Sequence, residues 1–276
     1  MLVAPSMAEI TTNDAVYHST QKEIWVELNQ ISTLRNLYFH RRIIEQISTR
    51  SSEESNILEL GGGAGFDLQL FFGKKPLFCN YLFSEISKDM ATFVRRLVDN
   101  PSIIYCCIDA QRIPLGDNQF DFVYQVATSH HLPNIIAGLE EIVRVTKTGG
   151  FIILGIEPNK LWSQLLSKVK PHIRRMTPQK SHSPADEEAV GFYIKDFKQF
   201  AEFYHLRLVE IEPVWFFCGF IHYGFEFIYR FFRLIRRTQL PPLVEMMFIS
   251  LDKLLSFIPG SKNLFCHFSV IYQKRA

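Results

Sequence analysis

The sequence predicts an α/β fold with a mostly parallel sheet covered by helices on both faces, and three observations carry that expectation. Short apolar runs alternate with amphipathic ones between residues 56 and 157. The strand-like runs are apolar throughout rather than on one side only. A cluster of glycines follows the first of them at once. Alternating β and α segments build parallel sheets, and strands buried on both faces read as continuous apolar stretches.

Taken in order, residues 20–48 carry apolar side chains at roughly helical spacing and read as helices covering a later domain. The polar run SSEES (51–55) reads as a linker, and NILEL (56–60) as the first strand, with a helix expected from Gly65. Then come strand FCNYLFSE (78–85), helix SKDMATFVRRLVD (87–99), strand IIYCCID (103–109) and strand FDFVYQVA (120–127). Helix IAGLEEIVRVT (136–146) is closed by KTGG, and strand FIILGIE (151–157) follows. LRLVEIEPV (206–214) and LFCHFSVIYQK (264–274) read as two further strands with a long aromatic insertion between them. This divides the chain into an N-terminal helical lid (1–50), a sheet-bearing core (51–213 and 261–276) and an aromatic helical cap (214–260).

A chain of 276 residues buries a substantial core. Lys and Arg total 30 against 28 Asp and Glu, so a net charge of +2 gives no whole-molecule case for a nucleic-acid partner. The five cysteines (Cys79, Cys106, Cys107, Cys218, Cys266) are odd in number and lack paired C-x-x-C spacing. That pattern fits a reduced, cytoplasmic protein, and neither disulfides nor a metal site is expected. The first residues, MLVAPSMAEITTND, lack a basic region leading into an apolar run, so no secretory signal is expected.

The glycines carry the first functional signal. A bare turn between strand and helix lets backbone approach a ligand closely, which points to a nucleotide-like molecule. The dinucleotide fingerprint G-x-G-x-x-G/A fails in both registers: from Gly61 its third small position falls on Phe66, and from Gly63 on Leu68. What remains is acidic-x-G-x-G-x-G, made by Glu59, Gly61, Gly63 and Gly65. Glu85 closes the next strand, where a carboxylate accepts hydrogen bonds from ribose hydroxyls. Asp109 falls just after a later strand, and Ala110 leaves room beside it for a flat ring.

Four stretches in this order, ILELGGGAG, SEISKDM, IDAQRIPLGDNQFDFVYQVATSHHLPN and LEEIVRVTKTGGFIIL, resemble the class I S-adenosylmethionine-dependent methyltransferases. The likeness is to the small-molecule enzymes related to quinone biosynthesis and covers about residues 56–157. It implies a Rossmann-like, seven-stranded sheet with a reversed final strand, and S-adenosylmethionine as cofactor. By position it puts Gly61, Gly63 and Gly65 against the methionine part and ribose, with Glu59 ordering the loop. Glu85 would hold the ribose hydroxyls, Ile86 would pack on adenine, Asp109 and Ala110 would sit at its edge, and Gln125 would line the methionine end. Tyr17 is implied as a further cofactor contact, whereas Trp25 and Tyr38 read as packing. One departure is Thr148, where relatives have Pro in the turn.

Because a sulfonium already activates its methyl group, the protein's task is to align an acceptor and exclude water. A base matters if the acceptor is a hydroxyl or an acidic carbon, and His130 and His131 in TSHHLPN are the candidates, between which the sequence does not choose. The reading is thus methyl transfer to oxygen or carbon of a hydrophobic small molecule. Alternatives are a same-fold enzyme catalysing a non-methylating reaction such as cyclisation, and an inactive binding or scaffold protein, against which the intact cofactor motif counts.

In the insertion, His222, Glu226, Arg230, Arg233 and Arg237 recur at spacings of three and four among Phe, Tyr and Ile. Such a stripe is uncomfortable in lipid, so a membrane span is not expected. A second apolar helix starts at Pro241 and Pro242. A cap over the acceptor, a peripheral membrane element and a homodimer interface compete; the place of the insertion between the last two strands favours the cap, and with it a lipophilic or aromatic acceptor. The basic run 168–180 (KVKPHIRRMTPQK) reads as a solvated loop.

Overall fold

The computed structural model describes residues 33–72, 80–165, 191–232 and 240–275. Tyr17, Trp25, the run 168–180, and Arg233 and Arg237 of the stripe lie outside the described residues.

Seven strands, β1 (Asn56–Leu60), β2 (Asn80–Ser84), β3 (Ile103–Cys106), β4 (Phe120–Val126), β5 (Thr146–Pro158), β6 (Leu206–Val214) and β7 (His267–Lys274), form one sheet. Its order is β3-β2-β1-β4-β5-β7-β6. The first five strands pair in parallel, and β7 runs antiparallel between β5 and β6. The order reverses between β1 and β4, which opens a crevice at the carboxyl ends of those strands.

Side-chain alternation along β1 shows how the sheet acquires two cores. Ile57 faces a cluster with α1 (Leu34–Ser48), α2 (Phe66–Phe72) and α3 (Lys88–Leu97), through Phe39, Ile43, Leu68, Phe71 and Val94. Leu58 and Leu60 face the other side, with α4 (Ile135–Val145) and α5 (Ile194–Phe203), through Leu139, Ile142, Phe197 and Ala201. Tyr38 packs against the first cluster, 5.0 Å edge-on from Phe39.

Element ends differ from the sequence reading for local reasons. The strand expected over 103–109 ends at Cys106, opposite Ser84, where its neighbour β2 also ends. Helix α4 starts one residue early because the Asn134 side chain accepts the Ala137 N–H at 3.1 Å. β5 starts at Thr146, which pairs with Phe120 before a register shift.

Between β6 and β7 stand α6 (Phe217–Phe232) and α7 (Pro242–Ser256). Buried Asp252 of α7 accepts the N–H groups of Phe216, Phe217 and Cys218 at 3.1, 2.7 and 3.3 Å, so a side chain of one helix caps the start of the other. Helix α1 is a strut between halves: His40 Nδ1 meets Asp67 of α2 at 2.8 Å, Arg42 donates to Glu212 of β6 at 2.6 Å, and buried Arg35 pairs with buried Glu245 of α7. No helix among the described residues is long and apolar enough to cross a membrane.

Candidate functional site

Three glycines after β1 adopt left-handed backbone: Gly61 at φ 63°, Gly63 at 52° and Gly65 at 73°. A Cβ on Gly61 would lie 2.5 Å from Thr128, and one on Gly65 2.6 Å from Val94. At Gly63 it would meet nothing within 4 Å, so bare backbone there faces open space. The Gly63 N–H donates to Glu85 Oε2 at 3.0 Å, and the Ser87 N–H to Glu85 Oε1 at 3.1 Å. Each oxygen of this buried carboxylate thus keeps a lone pair for a hydroxyl. Half-buried Ile86 follows it.

Asp109 is half-buried just beyond β3, accepting from the Gln111 N–H at 2.9 Å and from its Nε2 at 3.1 Å, with buried Ala110 beside it. Glycine loop, Glu85 and Asp109 therefore stand at the carboxyl ends of three adjacent strands. Glu59 lies below the loop, where Tyr81 Oη donates to it and also meets Tyr124 Oη. Burial, reinforced by Asp67, pushes the Glu59 carboxyl up to about 8 despite the tyrosine hydrogen bonds. Gln125, fully buried and in register with Leu60, donates to Ser129 Oγ, while its Oε1 has no hydrogen-bond partner among the described residues. A bare loop facing open space, a carboxylate with spare lone pairs and an orphaned acceptor beside them fit a ligand with hydroxyls and a cationic end.

The second half of the site grows from the turn after β4. Thr128, the residue against Gly61, donates its N–H to Glu157 Oε1 at 3.2 Å, as does Ser129 at 2.9 Å. His130 gives Glu157 Oε2 its N–H at 3.2 Å, and its Nδ1 lies 2.9 Å from that oxygen. Burial of Glu157 pushes its carboxyl up, but His130 and the Ser129 N–H outweigh burial and hold it below the usual carboxylate value. An Nδ1–H bonded to this carboxylate leaves His130 with its lone pair on Nε2. The His131 ring lies 4.1 Å from that of His130, tilted by 39°. Glu157 was read from sequence only as the end of a strand; an acid closing a buried strand two places from the first, just where ligands gather, was the available signal.

Three residues here adopt left-handed backbone without being glycine: Ala127 at φ 51°, Ile156 at 53° and Trp215 at 63°. They precede Thr128, Glu157 and α6, and such strain gathers at functional sites. Helix α6 reaches the same place, with Tyr223 Oη 3.1 Å from His267 Nε2 and the Trp215 ring tilted against that of His222 at 4.7 Å. His267 and His222 gave no sequence signal beyond a strand start and one position of the helical stripe.

Residues 58–154 match the family described as methyltransferase domain. The ubiquinone/menaquinone biosynthesis C-methyltransferase UbiE of Cupriavidus necator is 29% identical over 153 residues, 54% of this chain and 61% of that protein. The fatty-acid O-methyltransferase of Mycolicibacterium smegmatis is 30% identical over 105 residues, 37% of this chain and 36% of that protein. This chain thus spans less than two thirds of either relative. Among solved structures, phosphoethanolamine N-methyltransferase 2 of Haemonchus contortus, in complex with S-adenosyl-L-methionine, aligns with a TM-score of 0.55 at 14% identity, over 86% of this chain and 52% of that one. At that identity the likeness is one of fold. With this sheet order, a bare loop after β1 and a methyltransferase-domain match spanning β1 to β5, residues 58–154 are similar to the class I S-adenosylmethionine-dependent methyltransferases, the quinone-biosynthesis enzymes among them.

Proposed function

We propose that the chain is a methyltransferase that methylates oxygen or carbon of a hydrophobic small molecule, with His130 as general base and Glu157 as the residue that positions it. The observation that carries this reading is the fourfold grip of buried Glu157 on the turn 128–130, which holds the His130 ring on the turn whose Thr128 lies against Gly61.

Gly61, Gly63 and Gly65 hold the methionine part and ribose of the cofactor, Glu85 the ribose hydroxyls, and Ile86, Asp109 and Ala110 the adenine. S-adenosylmethionine brings a methyl group already activated on a sulfonium. The chain aligns the acceptor, keeps water out and takes its proton at His130 Nε2. Calorimetric titration tests this: S-adenosylmethionine and S-adenosylhomocysteine both bind, and failure of both to bind removes the reading.

The insertion 214–260 serves as a cap, a role supported by the contacts of Trp215 and Tyr223 with His267. A second role is favoured by the outer side of α7 and the residues after it, where Leu243 is 85% and Phe257 82% exposed, with Leu254 and Ile258 also exposed. So much apolar surface suits peripheral contact with a membrane. A protein that never sediments with liposomes has no such role.

A further inference from the structure

Beneath the first turns of α6, two polar groups are buried without partners. Trp215 is 6% exposed, and neither its Nε1 nor Nδ1 of His267 has a hydrogen-bond partner among the described residues. Buried polar groups are rarely left unpaired, so this pair asks for something that completes it. The two rings stand 5.3 Å apart, edge to face, one just past the end of β6 and the other at the start of β7.

An indole nitrogen only donates. With Tyr223 Oη, 3.1 Å from His267 Nε2, as the donor to that nitrogen, a neutral ring carries its own hydrogen on Nδ1. Burial, with His130 and His222 nearby, pulls His267 down to about 3, so the ring is neutral at ordinary pH. The carboxylate near these rings, Glu157, is already engaged by three backbone N–H groups and His130. It is therefore committed to that turn and does not complete the pair, and N–H donors offer a cationic head no acceptor. Around the pair stand two more rings, with His222 4.7 Å from Trp215 and Tyr223 stacked on His267 at 6.2 Å.

We propose that Trp215 Nε1–H and His267 Nδ1–H form the head-group site of the acceptor pocket and grip a carbonyl or carboxylate oxygen on a flat, apolar acceptor. The assignment of this ligand as the acceptor rests on the methyltransferase reading. The left-handed backbone of Trp215 holds the indole in place, and its carbonyl accepts the Cys266 N–H at 2.9 Å, tying it to the residue before His267.

The test uses the full chain and four probes: 2-naphthoate, 2-acetylnaphthalene, naphthalene and 2-naphthylmethylammonium. Calorimetry should show the two oxygen-bearing probes binding about tenfold or more tightly than the other two. Trp215→Phe and His267→Phe should each cost about tenfold for naphthoate and leave S-adenosylhomocysteine affinity unchanged. Equal naphthoate affinity in wild type and both variants, or ammonium binding as tightly as carboxylate, overturns the proposal. Should the variants fail to fold, the wild-type chain still decides: the Trp215 indole N–H resonance shifts with naphthoate and not with naphthalene, and an unmoved resonance overturns it. If neither form of the cofactor binds while the naphthoate results hold, the methyltransferase reading fails and the head-group site stands.

Discussion

The two halves of the sheet's carboxyl edge solve the same problem, holding backbone in left-handed geometry, by different means. On the β1–β2–β3 side every such residue around the loop is a glycine, Gly61, Gly63 or Gly65, and the loop is pinned by one carboxylate, Glu85. On the β4–β5–β7 side the left-handed positions are Ala127, Ile156 and Trp215, and the pinning carboxylate is Glu157. Glycine adopts this geometry freely, whereas other residues there cost on the order of 1–3 kcal/mol each. The glycine half, the cofactor half of the proposed function, is thus a local device, and the Glu157 half, its proposed acceptor half, is held under strain by contacts from distant parts of the chain.

The strongest way to separate the halves is His130→Ala. Turnover should fall by about 10²- to 10⁴-fold, with S-adenosylhomocysteine affinity unchanged in calorimetry; equal losses in both would merge the halves into one site. Glu157→Gln should lower kcat in the same direction at unchanged cofactor affinity. In the cofactor half, Gly65→Ala forces a side chain into left-handed backbone 2.6 Å from Val94. Urea unfolding should report a loss of about 2–5 kcal/mol. Glu85→Ala should weaken cofactor binding by about 10- to 100-fold without changing the acceptor half; affinity equal to wild type would show that the ribose is held elsewhere.

A smaller effect separates the halves by pH. His267 is held at about 3, below the ordinary value near 6.5, so as pH falls through that window the unfolded chain takes up the proton first. Stability from this group is complete above about 6.5 and is lost towards 3, by up to about 1.4 kcal/mol per pH unit. Glu59 has the opposite sign: raised to about 8, it is protonated first in the folded chain, which favours the fold as pH falls towards 4.5. The difference in urea midpoints between wild type and His267→Gln isolates the histidine, and a pH-independent difference would contradict its burial as a neutral ring. The smallest expected effect is Ala127→Gly, a gain of about 0.5 kcal/mol as relieved strain slightly exceeds the added freedom of the unfolded chain.

The cofactor half was legible because its parts are local. An apolar strand, then glycines, then an amphipathic helix states its backbone geometry within a dozen residues, and Glu85 announces itself by closing the next strand. The two histidines were visible as a pair, but choosing His130 needed Glu157, and a strand-ending glutamate does not declare which ring it will meet. Nothing in the sequence around Asp252 distinguishes a cap for another helix from a solvated acid, and the Arg35–Glu245 pair joins residues 210 positions apart.

By itself the sequence determined the strands, the bare turn after β1 and the order in which carboxylates arrive along one edge, because φ/ψ preference and side-chain periodicity act over a few neighbouring residues. Resemblance implied a reversed last strand; only the tertiary structure decided its place between β5 and β6 and the register that fixes its neighbours. That placement carries His267 to Glu157 and brings α6 down over both, and it depends on which distant surfaces bury one another, a property of the whole packed chain.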